Sequence, residues 1–317
     1  MKSGMQDMPF FIGGPMKDKS LYLEIKQAFE QVARPLEQAR WRHAFENGGD
    51  EDVLTELRKF QNEDGGFGHG LEPDFTNPFS SPIQTWAATG ILRTLALGRH
   101  HPVMVKTASY LASSFDPVTR RWPFTIRTNN DHPHAPWWHH DDDAVDNFNP
   151  SAALAGFLVR HVADPLALDC ANKVLADALE SLVHGQQPIE SHELRCFIQM
   201  IDDLTALDLD HPFYHEMRER ITHEMINTVC RDKNAWFKDY VTKPSDLVQR
   251  PDGLLGDVFK PLIITEIKEA LQARGPDGLW SVTWSWHAYP EAFEKAKKDW
   301  QGMIALHYMS LIHHFDD

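Results

Sequence analysis

The chain concentrates its reactive side chains in a few segments that show no helical period. The longest runs from Asp116 to Asn149 and carries His132, His134, Trp137, Trp138, His139 and His140, followed by Asp141, Asp142, Asp143 and Asp146. Carboxylates crowded this tightly repel one another, so one can be held protonated as a general acid while a neighbour stays ionised as a base. The same oxygens suit magnesium or calcium and the histidines suit zinc, which makes a divalent cation a candidate cofactor at this loop. The competing reading is a solvated acidic loop that caps the helix starting near Pro150. A second segment, Phe67 to Pro82, brings Glu72 and Asp74. Carboxylates facing each other across a cavity are what glycosidic bond cleavage requires. The glycines around this segment lack the strand context of a nucleotide-binding loop and read as turn formers. His192 opens a later helix beside Glu193, whose carboxylate also suits the helix dipole. Trp280, Trp284 and Trp286 alternate along an extended stretch, with Trp280 read as structural. Such rings either stabilise a cation, stack on a sugar, or simply seal the last hairpin. The candidate catalytic set is therefore Asp141, Asp142, Asp143, Glu72 and Asp74. The candidate substrate-binding set is Trp137, Trp138, His192, Trp284 and Trp286.

Helices must hold these loops. Apolar residues recur with helical period and charged outer faces in 50–61, 102–114, 165–183, 212–231 and 257–274, and a more apolar set occupies 82–97, 150–162, 190–207 and 289–315. Residues 21–47 supply the opening helices. Starts such as Ser80-Ser-Pro82, Asn149-Pro-Ser151 and Ser191-His-Glu193 carry helix-initiation chemistry. The ends lie about fifty residues apart, the period of a helix-pair repeat. This is an all-α chain.

The seams repeat as well. Gln61-Asn-Glu-Asp-Gly-Gly-Phe67 and Gln272-Ala-Arg-Gly-Pro-Asp-Gly-Leu-Trp280 both close a helical stretch and open a glycine turn beside a ring, and 115–122 and 231–236 keep a ring after a polar turn. At these residues the chain resembles the terpenoid cyclase and protein prenyltransferase superfamily. The resemblance implies an α/α toroid of about five to six hairpins around a central cavity. It also implies an enzyme that binds an isoprenoid there as a small-molecule substrate. The chain departs from that superfamily's chemistry: it has neither an Asp-x-Cys zinc pair nor an Asp-x-Asp-Asp acid run, and His139-His-Asp-Asp-Asp143 has the acidic density without the order. A carbohydrate-active α/α barrel, hydrolase or lyase, and a noncatalytic binding protein are the alternatives.

Composition sets outer bounds. With 317 residues, 42% of them apolar, the expectation is one domain over 1–317 with 1–19 as a poorly structured extension. A net charge of -15 argues against nucleic acid as a partner. No apolar run long enough for a membrane span and no secretory cleavage pattern are readable, so the expected location is cytoplasmic. Cys170, Cys196 and Cys230 are isolated in helical patterns and read as small core residues.

Overall fold

A computed structural model of the chain describes residues 18–207 and 212–315. Most of the expected N-terminal extension therefore lies outside the described residues, and Lys19 already belongs to the first helix. Among the described residues the protein is all-helical, with isolated β-bridges and no strand. The helices are α1 (Lys19–Val32), α2 (Pro35–Phe45), α3 (Asp50–Leu57), α4 (Pro82–Leu92), α5 (Pro102–Ser114), α6 (Ser151–His161), α7 (Pro165–His184), α8 (Ser191–Thr205), α9 (Pro212–Thr228), α10 (Pro244–Leu247), α11 (Gly256–Gln272) and α12 (Pro290–Phe315). None of those described is long and apolar enough to cross a membrane.

Local chemistry sets the starts. Proline occupies the first turn of α2, α4, α5, α7 and α10, where its missing N–H has no helical partner to lose. Asp18, Ser81 and Asp164 accept backbone N–H groups at the starts of α1, α4 and α7. The cap of α8 is Glu190 rather than a short polar side chain.

Neighbouring helices pack in a consistent order. α4, α6, α8 and α10 follow one another side by side, α5, α7 and α9 form a second series against them, and α12 packs on α1, α2 and α11. Gly156 permits α6 to approach α8 closely, since a Cβ there would lie 2.8 Å from the Met200 Cα. The repeat has a physical signature at the seams. The indoles of Trp122, Trp236 and Trp280 donate to the carbonyls of Leu111, Cys230 and Ala270, at 2.7, 2.8 and 2.8 Å, in or just past the end of the preceding helix. The Trp280 ring shares the Ala270 carbonyl with the Ala273 N–H, so the indoles tie the helix ends to the turns that follow rather than each filling an empty acceptor. In the first turn Gly65 sits at φ +92°, and a Cβ there would lie 2.2 Å from the Lys106 carbonyl oxygen, so only glycine fits. Gln61 donates its amide to the Gly65 carbonyl at 2.9 Å, closing its own turn instead of reaching a neighbouring one. Cys170 and Cys196 are buried and Cys230 half-buried, all as free thiols.

Candidate functional site

The first glycine turn and the helix behind it position two buried carboxylates. The Gly68 N–H donates to the Phe60 carbonyl at 2.9 Å and the Glu72 N–H to the Gln84 side chain at 2.9 Å. The segment then pairs with the loop around His134: Thr76 N–H donates to Pro133 and Ala135 N–H to the Asp74 carbonyl. Held this way, Glu72 and Asp74 are buried side by side, with Glu72 Oε2 accepting the Asp74 N–H at 2.9 Å. Asp74 Oδ1 also accepts the indole N–H groups of Trp286 at 2.9 Å and Trp284 at 3.4 Å, more than two hundred positions along the chain. The buried indole N–H groups of Trp138 and Trp300 have no acceptor at hydrogen-bond distance, yet each lies close enough to lower the nearest acid, Trp138 acting on Glu72 and Trp300 on Asp74.

Burial pushes the Glu72 carboxyl well above its ordinary range, the neighbouring Asp74 charge adds to this, and the Asp74 N–H, Arg34 and Trp138 oppose it. Burial also raises Asp74, against the pull of the tryptophan N–H groups. Glu72 is thus favoured as a neutral acid at the edge of the aromatic cluster of Phe75, Trp138 and Trp286, with Trp138 acting on it and Trp286 and Trp284 bonding its neighbour Asp74.

Of the residues singled out from sequence, the structure brings Glu72, Asp74, Trp138, Trp284 and Trp286 together. Trp280 belongs to the main core, tilted against Tyr308, apart from the other two tryptophans of its segment. Trp137 is exposed at 41%, whereas its neighbour Trp138 is buried. Asp141, Asp142 and Asp143 are exposed. Asp142 meets Arg127 at 2.9 Å and His140 at 3.1 Å, contacts that hold its carboxyl below the ordinary range. Asp141 accepts the Asp143 N–H at 3.0 Å, a turn contact. Asp146 is half-buried and accepts the Phe124 N–H at 3.0 Å. Among the described residues no three His, Cys, Asp or Glu side chains converge as a metal site would require.

His192 leads to a set that sequence reading missed. Its imidazole lies 2.8 Å from the Tyr240 hydroxyl, and Tyr240 packs edge-on against Trp284, which packs edge-on against Trp300. Arg195, one turn further along α8, acts on Tyr240, on Asp246 and on His307 of α12. Lys243 acts on Asp246 and His307 as well. Neither cation has an ion pair among the described residues, and both are partly exposed. Around them helical spacing lines up half-buried faces. Arg195 and Gln199 share one side of α8, and Trp300, Met303 and His307 share one side of α12. On α4, Trp86 donates to Gln199 at 2.9 Å, and one turn on Gly90 faces open space, with nothing within 4 Å of a Cβ built there. Lone cations on helices read as solvated charges in sequence, and only the convergence of α8, α10 and α12 distinguishes these.

A buried network lies directly behind this set. Ser245 donates its hydroxyl to Glu266 Oε1 at 2.6 Å, its N–H to Oε2 at 2.8 Å, and its oxygen lies 3.0 Å from His307 Nε2. Burial raises Glu266 from 4.5 to about 7, against the Ser245 bonds, and lowers His307 from 6.5 to about 4. The two contributions oppose each other. Glu266 stabilises the fold fully below pH 4.5, and that stability is lost as pH rises to about 7; His307 stabilises it above pH 6.5 and loses that as pH falls through about 4. Glu266→Gln is therefore expected to gain about 3 kcal/mol relative to the native protein between those two pH limits of Glu266. Urea unfolding midpoints across that range measure it, and parallel pH profiles would contradict it.

No protein-family model matches the chain, and no curated protein matches it.

Proposed function

We propose that the helical hairpins close into an α/α toroid of the terpenoid cyclase and protein prenyltransferase kind, and that the protein is an enzyme binding an isoprenoid with an anionic head, such as a diphosphate, in the central space. The observation that carries this reading is that Arg195 and Lys243, two cations without ion pairs among the described residues, act together on Asp246 and His307, while Arg195 also acts on Tyr240, whose ring packs on Trp284 and through it meets Trp300. Cations left unpaired inside a fold lose solvation, and a bound anion restores it. Aromatic faces beside them suit an apolar polyene and stabilise positive charge developing along it. The contact of α1 with α12, the first and last of the described helices, supports ring closure. Glu72 fits as the proton donor, being a carboxylic acid kept neutral by burial among rings.

A second reading, a carbohydrate-active enzyme taking an acidic sugar, draws on the open and polar surroundings of His192 and Tyr240, where a sugar ring would stack on Trp284. Tryptophan fluorescence separates the two. Farnesyl diphosphate is expected to quench it saturably, with farnesol and inorganic diphosphate each binding at least about tenfold more weakly, because each keeps only half of the contacts. Saturation by a uronate oligosaccharide instead would favour the sugar, and no saturation by either would overturn both.

A further inference from the structure

A carboxylate, an imidazole and a phenol stand in line at the start of α8. Glu190 caps the helix: its Oε2 accepts the N–H groups of His192 at 2.8 Å and Glu193 at 3.2 Å. That leaves Oε1 turned to His192 Nδ1, 2.7 Å away, and to the Ser191 hydroxyl at 2.8 Å. Partial burial pushes the Glu190 carboxyl up, but the His192 and Ser191 bonds outweigh it and hold it at about 2. An ionised Glu190 fixes the imidazole proton on Nδ1 and leaves the Nε2 lone pair for the Tyr240 hydroxyl, which donates to it at 2.8 Å. The two rings stack with an 18° interplanar angle, which holds the imidazole in this orientation. The Tyr240 residue as a whole is 64% exposed, although its phenol end is close enough to protein to be raised by burial.

We propose that Tyr240 is the acid–base group of this site, with His192 and Glu190 as its positioning residues. The substrate's O–H or activated C–H bond breaks and its proton goes to Tyr240 Oη. The phenol's own proton passes to His192 Nε2, the electron pair stays on the substrate atom, and Glu190 balances the imidazolium. The reverse transfer returns the proton. The substrate class is a molecule with an anionic group beside the reacting bond, placed on Arg195, the one cation that acts on Tyr240 against Asp246, Glu190 and Asp74 and that holds no ion pair among the described residues. Burial, together with the three carboxylates and against Arg195, raises the phenol above its ordinary range. A free phenolate is therefore disfavoured, and transfer has to run in concert with His192. The relay stands on its own geometry, whether the body of the ligand is isoprenoid or sugar.

The test uses N-acetylimidazole on the whole protein, with labelled tyrosines identified by peptide mass spectrometry. The phenol oxygen attacks the acetyl carbon, imidazole leaves, and the phenol proton passes through His192 to the leaving group. Tyr289, 44% exposed and outside the relay, is the internal reference. Tyr240 is expected to react at least about tenfold faster than Tyr289. In His192→Gln the rate falls to that of Tyr289 and rises with pH as an ordinary phenol's does. Glu190→Gln keeps an oxygen to cap α8 but removes the charge, and lowers the Tyr240 rate at unchanged helicity. Equal rates at the two tyrosines, or a Tyr240 profile unmoved by His192→Gln, would overturn the proposal. No isoprenoid or sugar is needed, so this outcome is independent of the ligand reading.

Discussion

Asp203→Ala is expected to destabilise the protein by about 3–5 kcal/mol, the cost of leaving a buried charge without its partner. Asp203 is 1% exposed on α8, and its Oδ2 accepts both Nε and Nη2 of Arg93, at 3.0 and 2.8 Å. Arg160 and His161 of α6 approach Oδ1 at 3.4 and 3.5 Å. The same guanidinium donates to the Ala153 carbonyl at 2.7 Å and to Thr89 at 2.9 Å, and lies over the Phe157 ring. One carboxylate therefore ties the end of α4 to α6 and α8. Burial pushes this acid up, yet Arg93 and His161 outweigh it and hold it at about 2. Because its folded value is depressed below the ordinary 3.8, its stabilisation is complete above that pH and is lost as pH falls through about 2. The whole effect is thus present at neutral pH. Asp203→Asn keeps an acceptor for Arg93 and should lose less. Urea unfolding at neutral pH measures both, and a loss under about 1 kcal/mol for the alanine variant would show that Arg93 is satisfied without Asp203. The consequence reaches the site, since α4 and α8 carry Trp86, Arg195 and Gln199.

Replacing Arg195 and Lys243 together by glutamine is expected to weaken binding of farnesyl diphosphate by about a hundredfold or more, since each charge-assisted bond lost costs about 1.5–3 kcal/mol. Stability is expected to fall as well, but by less than the affinity: neither cation holds an ion pair among the described residues, while both act on the buried Asp246. Asp246, which both cations help to keep ionised against burial, retains the Lys243 N–H at 2.8 Å. Calorimetric titration of the two proteins reads the affinity directly. Equal affinities would remove the anion from this surface, while a collapse of stability would mean that the cations are part of the scaffold.

Much of the fold is legible in the sequence because helices announce their ends. The period over 102–114 coincides with α5, and α7, α8, α11 and α12 fall within a few residues of the spans that periodicity marks. The span 82–97 overshoots: α4 stops at Leu92 and the chain turns through Thr94 and Leu95, whose N–H groups bond Ile91 and Leu92. Helix α10 is a single turn of four residues and too short to show a period. The candidate site is legible only in part. Glu72, Asp74, Trp284 and Trp286 stand out by type, but their pairing joins segments from opposite ends of the chain, and the density of the Asp141 to Asp143 run draws attention to an exposed loop. Tyr240, Arg195 and Lys243 carry no local mark at all. Their meaning comes from where α8, the segment before α10, and α12 meet.

The most direct measurement is the structure of the protein with a non-hydrolysable farnesyl thiolodiphosphate soaked in. The diphosphate oxygens are expected on Arg195 and Lys243 and the polyene along Trp284 and Trp300. Density for the ligand elsewhere, or an interior filled by the protein's own side chains, would contradict it.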